Sequence, residues 1–517
     1  HVKKQPAEKG MLIIQVGGPA YRIGMGGGAA SSMIQGANKA ELDFNAVQRG
    51  DAETEQKMNR VIRACVELGD NNQIISLHDQ GAGGPCNVIT ELVEPAGGRI
   101  DIRKIRLGDE TLSVLEIWGA EYQERNALLI KPESLEEFRL ICLRERCDLE
   151  VLGEITADGR MVVYDSADDT TPVDLELSKI LGKMPQKIFK DSRGQEKTEA
   201  LELRRDLTIK EALTNVFCLL SVGSKRFLTT KVDRSVTGLV ACQQCAGPLQ
   251  LTVSDFAVIA QSHFSLSGAA TSIGEQPNKI MLNPKAGARL SVGEAITNLA
   301  GAKISDLSDI KCSGNWMWAA KLPGEAARIY EAAAATRDLM VELGIAIDGG
   351  KDSLSMAAKV EDKIIKSPGA LVISAYATMP DIRKMATPDL KKAGLSALWL
   401  LDLGQGKNRL GGSALAQTHS QIGDSSPDVD DAGLLKRAFK AVQQMVEENL
   451  ALSVHDRSDG GLITTLLEMA FAGNCGLAIA AKDNGNPLPF YFNEELGIII
   501  EVENKNEDKF KKIIEKY

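Results

Sequence analysis

The chain has 517 residues, of which 44% are hydrophobic and 25% charged, and its 60 basic and 70 acidic side chains give a net charge of −10. This is an ordinary globular composition of roughly three or four domains, and an acidic balance without a long basic stripe argues against nucleic acid as a partner. Nine cysteines without a repeating framework predict a reducing, cytoplasmic setting, and no stretch approaches the ~20 apolar residues of a membrane span.

From the N-terminus, the polar residues 1–10 lack an apolar signal core. The glycine-rich run 24–30 could present backbone N–H groups to a phosphate. Met58, Val61, Ile62, Cys65 and Leu68 then have the spacing of one buried helical face. The motif Leu77-His78-Asp79-Gln80-Gly81-Ala82-Gly83-Gly84 follows, and residues 127–130 read as a strand. A polar stretch within 186–199 reads as a linker after a first domain of residues 1–185.

Residues 200–384 form a domain of a different kind. Cys242 and Cys245 have zinc-knuckle spacing, but no second pair completes a four-ligand site, so buried thiols are expected. Asp255 ends a strand-like 251–253. A helix is predicted over 287–302, with Gly287, Ser291, Glu294, Asn298 and Gly301 along one small or polar stripe. The turn 348–353 is rich in glycine but lacks the spacing of a Walker loop, and residues 370–377 read as a strand.

The last domain, residues 386–517, repeats the first. His455 in Val454-His455-Asp456-Arg457-Ser458-Asp459-Gly460-Gly461 lies 377 residues after His78, and Glu468 lies 377 after Glu91. The same offset carries the first helix onto Leu435, Ala438, Phe439, Val442 and Met445. Gly411-Gly412-Ser413-Ala414 resembles Gly26-Gly27-Gly28-Ala29 at an offset of 385, the difference falling in a loop where insertions cost little. Residues 497–501 match 127–130 with a shifted register, and Phe510, Ile513, Ile514 and Tyr517 make a helical apolar stripe. Both ends of the chain read as cuts, and a partner for the middle domain is expected upstream of His1. Asp255, Asp456, Glu294 and Asn298 together would suit magnesium, which favours hard oxygen donors completed by phosphates and water.

Several motifs carry a family resemblance: Gly17-Gly18-Pro19-Ala20-Tyr21-Arg22-Ile23-Gly24, Val47-Gln48-Arg49-Gly50-Asp51, the His78 motif, and Trp118-Gly119-Ala120-Glu121-Tyr122-Gln123-Glu124. With Lys231-Val232-Asp233-Arg234-Ser235-Val236, Gly293-Glu294-Ala295-Ile296-Thr297-Asn298, Ser313-Gly314-Asn315-Trp316-Met317 and Gly350-Lys351-Asp352-Ser353, they closely resemble the large, single-chain phosphoribosylformylglycinamidine synthases. The resemblance implies an α/β (α+β) fold of tandem aminoimidazole-ribotide-synthetase-like N- and C-domains, duplicated about a pseudo-twofold axis. Residues 1–185 would be a first C-domain, 200–384 a second N-domain and 386–517 a truncated second C-domain.

The implied activity is ATP-dependent conversion of formylglycinamide ribonucleotide and glutamine to the amidine in purine synthesis, through an iminophosphate that ammonia from a glutaminase domain displaces. By resemblance Asp79 would bind Mg2+ at the catalytic site, Glu121, Tyr122, Gln123 and Ser353 would contact substrate, and Gly350 would contact nucleotide. An auxiliary site holding a structural ADP would use Asp255, Glu294, Asn298 and Asp456 for Mg2+ and Ser254 and Ser458 for the nucleotide. The family's catalytic histidine motif is expected upstream of His1 and its glutaminase triad after Tyr517, so no catalytic residue is expected in this chain, which alone should neither hydrolyse glutamine nor ligate. The alternatives are a nucleotide-binding scaffold, or a superfamily kinase or synthetase, against which the duplication argues.

Overall fold

The computed structural model describes residues 5–517 except 23–32, 35, 37–50, 82, 123, 184–185, 187, 189, 195–197, 232–237 and 480–485. The glycine run 24–30, most of the Val47 motif, Gln123 and the Val232–Val236 stretch therefore lie outside the described residues. The chain divides into two compact units, one of residues 1–189 with 357–365, the other of 190–356 with 366–517.

The first unit is built on β1 (Leu12–Gly17), β2 (Ser76–Asp79), β3 (Gly98–Asp101), β4 (Arg125–Ile130), β5 (Leu149–Ile155), β6 (Arg160–Asp165) and β7 (Thr170–Glu176), in the sheet order β2-β4-β1-β5-β3-β6-β7. Only β3 and β6 run parallel. Helix α1 (Ala52–Glu67) is capped by the Asp51 side chain and buries Met58, Val61 and Cys65. It stops at Glu67, so Leu68, expected on the buried face, is the cap residue and 43% exposed. Helix α2 (Gly84–Val93) begins at the glycine turn after β2, and α3 (Val114–Gly119) starts with a Ser113–Glu116 capping box.

In the second unit β8 (Val240–Cys242), β11 (Phe256–Ala260), β12 (Gly268–Glu275), β13 (Lys311–Met317), β14 (Ala346–Ser353) and β17 (Ala370–Met379) form a sheet ordered β14-β13-β17-β12-β11-β8. The short pair β9 (Cys245–Ala246) and β10 (Leu251–Thr252) precedes Asp255, while the hairpin β15 (Ala357–Val360) and β16 (Lys363–Lys366), between β14 and β17 in sequence, belongs through residues 357–365 to the first unit. Helix α4 (Pro277–Leu282) leads into α5 (Pro284–Leu299). The latter starts three residues earlier than predicted because the Asn283 side chain caps Lys285 and Ala286 and Pro284 fits the first turn. It ends at Leu299, which leaves Gly301 outside the helix. Gly287 and Ser291 are buried, Gly287 against Ile280 of α4, so only Glu294 and Asn298 of the expected stripe are available to a cavity.

Strands β18 (Ser396–Asp402), β19 (Ala451–Asp456) and β20 (Gly497–Glu503) form a sheet ordered β18-β20-β19. Read as β19-β20-β18, it repeats β2-β4-β1 of the first unit. Helix α6 (Ala432–Glu447) buries Leu435, Ala438, Phe439, Val442 and Met445, all five expected positions. Helix α7 (Leu462–Ala472) follows the second glycine turn, then α8 (Leu488–Phe492) and α9 (Glu507–Lys516), which buries Phe510 and Ile513. One hydrophobic core joins Leu290, Ile296 and Leu299 of α5 to Leu435 and Phe439 of α6 and Ile498 and Ile500 of β20. That shared core brings the loop before β11 to the end of β19.

Candidate functional site

Asp255 and Asp456 are 201 positions apart in sequence, yet the Asp456 amide donates to Asp255 Oδ2 at 3.2 Å. His455 ties the cluster together. Its Nδ1 lies 2.6 Å from Asp255 Oδ1 and its Nε2 3.1 Å from Glu468 Oε2, with its side chain 4% exposed. Ligand atoms of Asp255, His455 and Asp456 all fall within 4.8 Å of one another.

Glu294 and Asn298 enter from α5, one turn apart. Glu294 Oε2 accepts from the Glu275 amide at 2.7 Å and from Gln276 Nε2 at 3.0 Å, which fixes the carboxylate at the end of β12. Asn298 Nδ2 donates to the Ile273 carbonyl at 2.8 Å, so its oxygen is the atom that could meet a cation. Ser254 Oγ donates to the Phe256 carbonyl, and Ser458 Oγ lies 3.3 Å from Asp456 Oδ1. All six residues expected at the nucleotide-binding position, Ser254, Asp255, Glu294, Asn298, Asp456 and Ser458, line one cavity of about 800 Å³. His455, Glu468, Asp459 and the cations Lys225 and Arg226 line it too. Lys225 Nζ is turned onto the carbonyls of Leu220 and Gly223, 2.7 Å from each.

Burial pushes Asp255 above the usual carboxylate range, against the pull of His455. Asp456 is pushed up to about 8 by burial and then by the Asp255 charge, and Glu294 rises well above its ordinary value through burial, Asp459 and Asp456. Burial works against the imidazolium of His455, but Asp255 and Glu468 outweigh it and raise it well above 6.5. A buried oxygen-rich set whose carboxyls are all pushed towards their protonated forms is one a hard divalent cation suits, because the cation supplies compensating positive charge. The donor set therefore fits Mg2+.

The first unit carries the same motif in another setting. His78 Nε2 lies 2.6 Å from Glu91 Oε2, repeating the His455–Glu468 pair, and His78 Nδ1 meets the Asp79 carbonyl at 2.8 Å. The Asp79 side chain is 90% exposed. Glu121 and Tyr122 are buried after α3, the Tyr122 hydroxyl donating to the Ile117 carbonyl at 3.0 Å. Gly350 and Ser353 belong to the second unit, on β14. Cys242 and Cys245 are buried free thiols beside Ser254 and Thr252, and burial pushes Cys242 up.

Sequence reasoning missed Lys225, Arg226 and Asp459 as cavity residues. Glu468 was visible through the duplication, but a lone lysine before β8 carries no pattern.

The family model described as "FGAR-AT PurM_N-like domain" matches residues 224–378, and the one described as "AIR synthase related protein, C-terminal domain" matches 8–166 and again 397–517. The chain is 57% identical over 521 residues to an Arabidopsis thaliana protein named probable phosphoribosylformylglycinamidine synthase, chloroplastic/mitochondrial, and covers 37% of it. It is 53% identical to the human phosphoribosylformylglycinamidine synthase and covers 39% of it. These alignments take in 98% and 97% of the chain, which thus spans about two-fifths of the length of the curated relatives it matches. Among solved structures, Thermotoga maritima PurL complexed with FGAR matches 96% of this chain and 70% of its own at a TM-score of 0.68 and 16% identity. The same protein complexed with ADP matches at 0.63 and 15%, covering 96% of this chain and 69% of that one, and at such identities the likeness is one of fold.

Proposed function

Because the chain belongs to the AIR synthase-related family, we propose that it forms the central part of a phosphoribosylformylglycinamidine synthase, with a nucleotide–Mg2+ site in its second unit. The observation that carries this reading is the convergence of Ser254, Asp255, Glu294, Asn298, Asp456 and Ser458, drawn from sequence positions up to 204 apart, on one cavity. Asp255, Glu294, Asn298 and Asp456 would hold Mg2+, and Ser254 and Ser458 would meet the nucleotide. When bound, Mg2+ neutralises phosphate charge. The protein's own part is orientation: His455 steers Asp255, and the Glu275 amide and Gln276 steer Glu294.

On the same reading, residues 1–185 and 386–517 are C-type domains and 200–384 an N-type domain joined through the linker 186–199. Asp79, Glu121, Tyr122 and Gln123 belong to a formylglycinamide-ribonucleotide site of the first C-type domain, and Gly350 and Ser353 are the nucleotide- and substrate-binding residues of the N-type domain. The reaction consumes ATP and glutamine, passes through an iminophosphate, and takes ammonia from a glutaminase domain of the same protein. Among the described residues no helix is long and apolar enough to cross a membrane. The cytoplasm is the proposed compartment, although the plant relative's name assigns that protein to organelles.

Titration of ADP with Mg2+ into the chain tests the central claim. Glu294→Ala is expected to weaken binding by about 100-fold or more, since even groups behind a metal ligand contribute 10–100-fold. Unchanged affinity in that variant would sink the assignment.

A further inference from the structure

The two copies can be registered by their backbone bonds. The Gln80 amide donates to the Arg125 carbonyl at 3.0 Å and the Arg457 amide to the Gly497 carbonyl at 2.9 Å. Gln80 and Arg457 differ by 377, whereas Arg125 and Gly497 differ by 372. Strand pairing extends the register: Gly17 lies opposite Arg125 and Asp402 opposite Gly497, so Asp402 stands where the first copy has Gly17. In the loops before β4 and β20, Asn493 stands 372 positions after Glu121.

Each copy buries one guanidinium between these segments. That of Arg125 donates to the Gly18 carbonyl just past the end of β1 and to Gln15 Oε1 at 2.7 Å, and lies 5.1 Å from the ring of Tyr122 in the loop before β4. Glu150 is 3.7 Å away without a hydrogen bond to it. That of Arg457, entering from the turn after β19, donates to Asp402 Oδ1 at the end of β18 at 2.9 Å and to Asn493 Oδ1 in the loop before β20. A Cβ on Gly497 would come within 3.1 Å of this group, so the glycine leaves room for it where the first copy has the stem of Arg125. The Arg125 side chain is fully buried and that of Arg457 is 2% exposed, and in both the Nε proton has no hydrogen-bond partner. A buried charge with an unmet donor costs stability. Stability alone therefore does not account for its presence in both copies.

We propose that Arg125 and Arg457 are positioning residues, each a buried guanidinium that ties the loop before the middle strand, β4 or β20, to the end of the neighbouring strand, β1 or β18. In the first copy the loop so fixed carries Glu121 and Tyr122, so Arg125 sets where these side chains stand without touching substrate itself. That consequence rests on the substrate reading of the loop. In the second copy Arg457 sits between Asp456 and Ser458, and the same tie fixes the turn that brings both to the cavity.

Hydrogen exchange of the whole chain tests the tie in the first copy. The amides to follow are Gly18 and Gln80, bonded to the Glu124 and Arg125 carbonyls at 3.0 Å each, with α1 as the control for folding of the unit. Arg125→Gly is expected to speed exchange at both amides by at least about tenfold, the effect of losing bonds from a charged donor. Arg125→Gly with Gln80→Arg, which returns a guanidinium from the position used in the second copy, is expected to bring both rates back to within about threefold of native. Unchanged rates in the single variant, or a double variant as fast as the single while α1 stays protected, overturn the proposal. Should Arg125→Gly expose α1 as well, Arg125→Lys decides, because it keeps a charge but lacks the fork that reaches Gln15 and Gly18 together. Faster loop amides with α1 unchanged support the tie, and loop amides at the native rate overturn it. Formylglycinamide ribonucleotide is then added. It is expected to slow exchange at residues 120–122 of the native chain and of the double variant, and to bind the single variant at least about tenfold more weakly. No protection in the native chain counts against the substrate reading of the loop, while the rates without ligand decide the tie.

Discussion

At the end of β19, Asp456 keeps its proton to about pH 8 because it is buried beside another carboxylate. The sign of its effect on stability follows. The folded chain binds this proton more tightly than the unfolded chain, whose carboxyl titrates near 3.8, so stability falls as pH rises from about 4 towards about 8 and levels off above. Asp165 in the first unit acts in the opposite sense: Arg103, 2.7 Å away through Nε, holds it below the usual carboxylate range. Its contribution is present above about pH 4 and lost as pH falls through the folded value. Without divalent cations, thermal melts between pH 5 and 8 are therefore expected to show the second unit losing stability with rising pH. Added Mg2+ should raise its midpoint more at pH 8 than at pH 6, because at the higher pH fewer protons have to be displaced. An equal shift at both would contradict the protonated cluster.

At the scale of single elements, α6 gathers most of its stability from one face. Phe439 is 1% exposed in the shared core, and Phe439→Ala is expected to cost about 3–5 kcal/mol in urea unfolding of the second unit. Asp431→Ala, which removes the side chain that accepts from the Leu434 amide, should cost about 1 kcal/mol. This helix was legible in the sequence because its five apolar positions follow a single period, and its twin was legible except at Leu68, where the helix ends one residue sooner. The start of α5 is set by Asn283-Pro284, a stronger local signal than the stripe of small residues that begins at Gly287. Strand order was out of reach. It depends on pairings between residues far apart, such as Leu12 with Ile130, which no local pattern encodes. The cavity lay between these cases: its candidate ligands were named through a family resemblance, while Lys225 has no periodicity or motif, and Asp459, although inside the second glycine motif, is marked as a cavity wall only by what the fold brings beside it.

The whole molecule is two compact units that share one repeated motif. Ligand stabilisation should respect that division. ADP with Mg2+ at about 100 times its dissociation constant is expected to stabilise the second unit by about 2.7 kcal/mol. The check is calorimetry with hydrogen exchange, and the gain should appear in residues 190–356 and 366–517. No gain in the second unit would mean the cavity is not the nucleotide site. The duplication has also diverged in a way that preserves physics over spelling. In the first copy Arg125 of β4 is fully buried, bonded to Gln15 at 2.7 Å and 5.1 Å from the Tyr122 ring. In the second, the partner position is Gly497, and Arg457, where the first copy has Gln80, bonds Asn493 and Asp402 and lies against that glycine. A guanidinium persists behind each loop while the strand that supplies it has changed. Aligned letter by letter, the two columns count as two unrelated mismatches, although together they describe one inherited charge. The same charge can thus be supplied from either side of the ladder, so the two positions form one unit when the copies are compared.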